Sequence, residues 1–449
     1  MNCDGVLCFA DSNLEWRVRQ NVQVFGSEEI RYEDVEGLSS LTFSSPEIIN
    51  LAGIECLRGL TSLTLHVSGT TDLSRLAALP ALSELRLYGD SVADLAPLSG
   101  LPVLTSLDLQ NTNISDLAPL AGVTGLTFLN LNGNDISDLT PLAGLTSLTE
   151  LSLNYNNISD ASPLAGLTSL TTLDLFGNSI NDVTPLAGLT ALTDLDLENN
   201  DISDLGDLSG LTLLTELRLS YNNIADLSPL AGLTSLGWLE LRENNITDVS
   251  ALAELTSLTV LRLQSNSISD LSPLVGLDEL TSLMVDHNDI TDLAPLSGLT
   301  SLVEVWASGN DITDLSPLAG LTELFHVVLE DNAITDLGPL AEMTQMTHLY
   351  LSNNNISDVS PLAGMTSLIV LMLSDNSIGD ISPLSEFTSL STLDLGRNNV
   401  HDITPLVENE GIGSDDYVYL VGNPIDCAAQ AENIQELQDR RVDLFSPCP

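Results

Sequence analysis

Residues 145–166 read LTSLTELSLNYNNISDASPLAG, and residues 167–188 read LTSLTTLDLFGNSINDVTPLAG. The two stretches match nearly letter for letter at a period of 22. Asn recurs at that step from Asn134 to Asn398, and Asp recurs without a gap from Asp72 to Asp402. Pro stands three residues after the Asp in most units, as at Pro97, Pro163 and Pro405. Asp207 and Ala251 replace it in two units, and weaker units centre on Pro46 and Ser68. About seventeen regular units and an irregular last one therefore occupy residues 38–424. Residues 1–37 and 425–449 are left as terminal caps.

The letters of one unit dictate a coil. Leu148, Leu151, Leu153 and Ile158 point inward. Leu151 and Leu153 are two apart, so they share one face of a short strand, and Glu150, Ser152 and Asn154 face outward. Stacked coils turn these strands into a parallel sheet, with neighbours about 4.8 Å apart. Asn156 ends the strand, where its amide can satisfy backbone groups that would otherwise be buried unpaired. Asp160 is placed to cap a short helical turn that has Pro163 in its first turn. Each coil buries its apolar face only against its neighbours, so both ends of the stack need lids.

Composition sets the limits. Four hundred and forty-nine residues would ordinarily make two or three domains, but the repetition makes them one solenoid. Hydrophobic residues are 43% and aromatics 4%, so the core is built from Leu, Ile and Val. Sixty-three acidic residues stand against 12 basic ones, all of them Arg, for a net charge of -51. A field of that sign repels phosphate and argues against nucleic acid or anionic membrane as partners. It favours solubility and fits a salty habitat, where counterions screen the self-repulsion. No apolar run is long enough to span a bilayer, so no membrane insertion is expected.

Residues 9–25 read as an amphipathic capping helix opened by Asp11 or Ser12. Residues 427–441 read as a closing helix held down by Phe445, after an insertion at 407–418 that lengthens the last coil. The cysteines are Cys3, Cys8, Cys56, Cys427 and Cys448. Their spacing leads us to expect disulfides Cys3–Cys8 and Cys427–Cys448, with Cys56 a buried thiol. Disulfides imply an oxidising compartment. Cysteines so close to Met1 suggest a mature chain whose export signal has been removed, hence a secreted or cell-surface bacterial protein.

These units closely resemble the 22-residue leucine-rich repeats of the bacterial internalins, and more loosely the SDS22-like class. Residues 266–285 follow the typical motif NxISDLSPLAGLTSLTxLxL with small changes. The resemblance covers nearly the whole array. It implies an α/β repeat solenoid: a right-handed, curved leucine-rich-repeat arc with a parallel β-sheet on its concave side and 3₁₀ segments on its convex side. It also implies partner binding through the concave face. No calcium-binding-like internalin cap, following immunoglobulin-like domain or wall-sorting signal is seen in the 449 residues, so host-cell invasion is not carried over.

On such a scaffold the departures from the repeat hold the functional information. The outward positions are six, four and two residues before each ladder Asn. The central column is polar at first and then reads Met284, Trp306, Val328, Tyr350 and Met372 on five consecutive units. Trp238, His326 and His348 stand in the neighbouring column, and Arg218, Arg242 and Arg262 precede the run. Five strands make a stripe of about 19 Å, and aromatics of ~150–250 Å² each give a patch of several hundred Å². Patches of that size, rich in Trp, Tyr, Met and Arg, mark partner surfaces. The competing reading is that Tyr, Trp and Val are there for strand propensity alone.

His326 and His348, with Glu304 or Glu330, make at best an incomplete metal site, although their protonation could tune binding. The Asp ladder is accounted for by capping, without calcium. An open sheet face offers no water-excluded cleft for catalysis. The expectation is a non-enzymatic, monomeric protein that binds a protein or peptide, with no cofactor, metal or catalytic residue. A structural envelope or matrix component, or a carbohydrate binder, is the alternative.

Overall fold

A computed structural model of the protein describes residues 3, 5–43, 48–66, 72–89, 92, 94–206 and 208–448. Pro46, Ser68 and Asp207 lie outside the described residues. The chain forms two compact units, Met1–Asn223 and Ile224–Pro449. Each is a stack of coils with a parallel sheet along one side and 3₁₀ turns along another, the leucine-rich-repeat solenoid.

In the first unit the strands run from Ser40–Thr42 to Glu216–Arg218. Leu151 pairs in register with Leu173, a step of one period. The strands are mostly three residues long, because the ladder asparagine turns the chain soon after. Leu148, Leu151, Leu153, Ile158 and Leu164 are fully buried. Burying a Leu or Ile side chain is worth about 1.5–3 kcal/mol, and here it comes only from the coils on either side. The turn Ser162–Gly166 is 3₁₀, and Asp160 Oδ1 accepts the Ser162 N–H at 2.8 Å, as the spacing predicts. That hydrogen bond holds the exposed Asp160 carboxyl below its ordinary value.

The second unit has strands from Trp238–Glu240 to Asp443–Phe445 on the same plan. Here the asparagine geometry is typical. The Asn288 amide donates to Leu263 O at 3.0 Å in the preceding coil and to Val285 O at 3.1 Å in its own. Its Oδ1 accepts the Ile268 N–H at 2.9 Å, again in the preceding coil. With a further bond to Asp286 O at 3.2 Å, one buried side chain thus serves four backbone groups on two coils. The residue just before the ladder Asn is left-handed, with φ of 53° at Glu243, 53° at His287 and 51° at Arg397.

The caps differ from expectation in detail. Helix α1 (Ser12–Val22) is capped by Asp11, whose Oδ1 accepts from Asn13 N and Leu14 N. Its other oxygen accepts Ile49 N at 3.1 Å, tying the helix to the first coil. Gln23 turns left-handed and ends the helix before residue 25. A short helix, α2 (Tyr32–Val35), precedes the first strand.

The expected Cys3–Cys8 bridge is wrong. Cys3 is bonded to Cys56, their Cα atoms 5.3 Å apart, and Cys8 is a free, exposed thiol. The chain at Cys8 lies over the turn at Gly53, which brings the amino terminus onto the first coil. The bridge therefore joins cap to coil and does not merely close the terminus on itself.

At the other end, helix α3 (Thr404–Glu408) replaces the last 3₁₀ turn, and the insertion stretches the strand step to 25 residues, Asp394 pairing with Tyr419. Arg440 closes this longer coil by donating to Val407 O and Asn409 O. Helix α4 (Ala431–Asp439) buries Ile434 and Leu437, and the Cys427–Cys448 disulfide forms as expected. Phe445 does not hold this helix down. It is exposed on an added strand, Asp443–Phe445, that pairs with Tyr417–Tyr419.

Asn288→Ala should lower the unfolding free energy by about 2–4 kcal/mol, because buried backbone groups lose their partners. A urea-denaturation series checks this, and a loss under ~0.5 kcal/mol would mean the ladder carries little weight. In the native protein a maleimide should label Cys8, while Cys3 and Cys56 stay unreactive; labelling at Cys56 by mass spectrometry would contradict the bridge.

Candidate functional site

The second unit carries all the outward positions singled out from sequence except Arg218. Register places Met284 beside Arg262, then Trp306, Val328, Tyr350 and Met372 on successive strands. The adjacent column runs Ser282, Glu304, His326, His348 and Val370. The predicted stripe is therefore assembled, but it is less open than expected. Met284 and Val328 are each only 9% exposed, and Trp306, Tyr350 and Met372 are half-buried. Side chains on one face of a parallel sheet stand about 4.8 Å apart, so large neighbours cover one another.

His326 is the hub of the cluster. Its ring meets Trp306 edge-on at 5.2 Å and lies 5.3 Å from His348 and 5.6 Å from Tyr350. Burial pushes the His326 pKa below its usual value; the charge of His348 lowers it further, and that of Glu304 works the other way. His326 Nδ1 is 3.9 Å from Glu304 Oε2. Among the described residues no group of three His, Cys, Asp or Glu is placed to hold a metal ion.

The arginines are committed to carboxylates within the chain. Arg262 donates to Glu240 Oε1 at 2.9 Å with its guanidinium 4.8 Å from the Trp238 ring centre, and Trp238 Nε1 donates to the same carboxylate at 2.6 Å. Arg397 pairs with Asp375. Arg242 is exposed and lies beyond its strand. In the first unit Arg218 bonds Asp194 at 2.8 Å and Glu216 at 2.5 Å, and Arg86 bonds Asp108 at 2.6 Å. Also in the first unit, burial pushes Asp196 up to about 7, against a hydrogen bond from Glu198 N and with the repulsion of Glu198 and Asp174.

Two features escaped the sequence reading. Asp286 stands in the column two residues before the ladder Asn, beside the apolar run and in line with Glu330, which the sequence reading weighed only as a metal partner. Burial raises the pKa of both. Asp286 accepts from Ser308 N at 3.0 Å, and Ser308 Oγ accepts from Glu330 N at 3.0 Å. Secondly, Ser282 Oγ and Trp306 Nε1 are buried with no hydrogen-bond partner among the described residues. The acidic column could have been noticed by reading all three outward columns together.

The family of leucine-rich repeats (two copies) matches residues 102–144, 124–166, 146–188, 168–210, 234–276, 322–364 and 366–408. A single-repeat description matches 210–227. No curated protein sequence matches the chain. Among solved structures, an internalin (InlF) from Listeria monocytogenes is 32% identical with a TM-score of 0.61; the match covers 80% of this chain and 94% of that one. The functional domain of InlJ, from the same organism, is 26% identical with a TM-score of 0.68, over 88% and 80% of the two chains. A leucine-rich-repeat protein of Leptospira interrogans is 22% identical with a TM-score of 0.72, over 92% and 97%, and supports the fold alone.

In an NMR titration the His326 midpoint should fall below the ordinary histidine value of about 6.5. His348→Ala should raise it, and Glu304→Gln should lower it further. Because the folded value is depressed, stability tied to neutral His326 is complete above the ordinary histidine value and lost as pH falls from there through the lower folded value. A His326 midpoint above that of a random-coil histidine would contradict this packing.

Proposed function

The chain belongs to the leucine-rich-repeat proteins of the internalin kind, and on that footing we propose that it is a non-enzymatic binding protein whose partner seats on the sheet face of the second unit. The observation that carries this reading is the column Met284, Trp306, Val328, Tyr350 and Met372, in register on five strands where the polar repeat pattern stops. Scaffold demands explain the Leu, Asn and Asp ladders but place no Trp or Tyr on the outer face. Aromatic anchors of this type dominate binding energy at interfaces because they bury much area with few rotatable bonds. The partner in this reading is a protein or peptide, since an extended sheet face matches a surface or a strand-length segment better than a small ligand.

Two disulfides support an oxidising, extracytoplasmic setting, hence a secreted or surface-displayed chain. Among the described residues no helix is long and apolar enough to cross a membrane. A structural role has one observation in its favour. Tyr417, Tyr419, Val421 and Phe445 are exposed beside the edge strand Asp443–Phe445, and such an edge can pair with a second copy.

The Trp306→Ala/Tyr350→Ala double variant should keep the wild-type circular dichroism while losing at least about tenfold in affinity for the native partner, captured from the natural surroundings and measured by calorimetry. Unchanged affinity would sink the assignment. Light scattering tests the structural reading: ordered oligomers lost on Phe445→Ser would favour assembly over recognition.

A further inference from the structure

The protein shows within its own second unit how this face holds a cation. Trp238, Glu240 and Arg262 make one constellation in which the ring lies under the guanidinium and the carboxylate bonds both the indole N–H and the arginine. Glu304 and Trp306 put a carboxylate and an indole on a single strand in the reverse order, and there Trp306 Nε1 is buried with no hydrogen-bond partner among the described residues. The residues facing them on the two neighbouring strands are Ser282, Met284, His326 and Val328, so no arginine is supplied from within. His326 does not replace it, because its own pKa is depressed and it is the neutral form that packs against Trp306 near neutral pH.

The carboxylates around the apolar run are distributed in the same sense. Glu304 borders it on one side, and Asp286 and Glu330 on the other. Among the described residues none of the three forms a salt bridge with an arginine, and Arg397, on the same face, is held by Asp375. Positions two apart on a strand are separated by about 6.6 Å, close to the reach of a lysine or arginine stem. A basic side chain laid over Val328 or Met284 therefore ends at Glu330 or Asp286, with its methylenes on the apolar floor and its charge at the rim. One laid over the Trp306 or Tyr350 ring gains a cation–π contact as well.

Resting on the reading of this face as the partner surface, we propose that its occupant is a basic protein segment, whose Lys or Arg stems cover Met284, Val328, Trp306 and Tyr350 and whose charged ends meet Glu304, Asp286 and Glu330. The partner is thereby selected for positive charge in addition to apolar contact. The raised pKa values of Asp286 and Glu330 accord with this: burial raises both, at Glu330 the charges of Asp331, Asp394 and Asp286 add to it, and at Asp286 the charges of His287 and Arg242 work the other way as an incoming cation would. The overall charge of -51 speeds the encounter, but it does not by itself choose a place on the surface.

Three synthetic peptides of equal length test the proposal on the full chain: one alternating Lys with Leu and Trp, a second with Gln for each Lys, and a third with Glu. The Lys peptide should bind, and the Gln and Glu peptides should bind at least about tenfold more weakly. Asp286→Asn/Glu330→Gln should weaken the Lys peptide about tenfold or more, whereas Glu386→Gln/Glu410→Gln, the same change of charge away from this face, should leave it unaltered. Equal loss in both double variants would show attraction to the acidic chain as a whole and overturn the proposal. Equal binding of the Lys and Gln peptides, with both lost in Trp306→Ala/Tyr350→Ala, would overturn the charge selection while keeping the face as the site. Lys-peptide binding insensitive to Trp306→Ala/Tyr350→Ala would remove the face itself.

Discussion

The structure depends on a buried amide shared between two coils. A strand of three residues makes too few ladder bonds to hold a coil by itself, and every coil must bend sharply after it. The bend strands carbonyls and N–H groups in an apolar interior, where each unpaired group costs about 1–3 kcal/mol. Asn156, Asn178, Asn288 and their counterparts resolve this by donating to one carbonyl in their own coil and one in the coil before. Only a side chain with both a two-proton donor and an acceptor at this length can do so. Where Thr112 takes the place, its single hydroxyl proton goes to Leu109 O in its own coil at 2.6 Å, and Asn134 Oδ1 accepts the Thr112 N–H at 3.1 Å.

That constraint explains what was readable from the letters. A residue needed for backbone accounting must recur at a fixed step, so the period, the strands, the Asp-capped turns and the outward columns were all visible in one unit. Cys427–Cys448 was visible because its partners are close in sequence. Cys3–Cys56 was not, since spatial proximity there comes from the terminus folding back over Gly53, which no local pattern encodes. The shielding of Met284 and Val328 was hidden for a related reason. Alternation tells which way a side chain points, but the size of its neighbours on adjacent strands decides how much of it remains in water. The added strand Asp443–Phe445 is too short and too isolated to announce itself.

The charge distribution on the sheet face also had to be seen in three dimensions. As letters, Arg218, Arg242 and Arg262 beside the apolar run look like part of a partner surface. In the structure Arg86, Arg218, Arg262 and Arg397 are each spent on a carboxylate one strand away, or on the same strand. Those forks are already occupied, that of Arg218 by two carboxylates, so they offer little to an acidic ligand. The net character of the second unit's face is therefore set by the acids left over, and the meaning of the arginines is reversed: they mark where the chain has already neutralised itself.

The left-handed position before each ladder asparagine accepts Tyr155, Glu243, Ser265, His287 and Arg397 with nearly the same φ, and it takes glycine at Gly133, Gly177 and Gly309. Backbone of that kind costs non-glycine residues about 1 kcal/mol, and the coil imposes it whatever the side chain. Among the described residues β-branched residues and proline, which tolerate it least, do not occur there. The column is consequently a row of interchangeable sockets along the rim of the sheet. One polar or aromatic residue can be exchanged for another at these positions without retuning the core beneath, so the make-up of this margin is decoupled from the architecture that carries it.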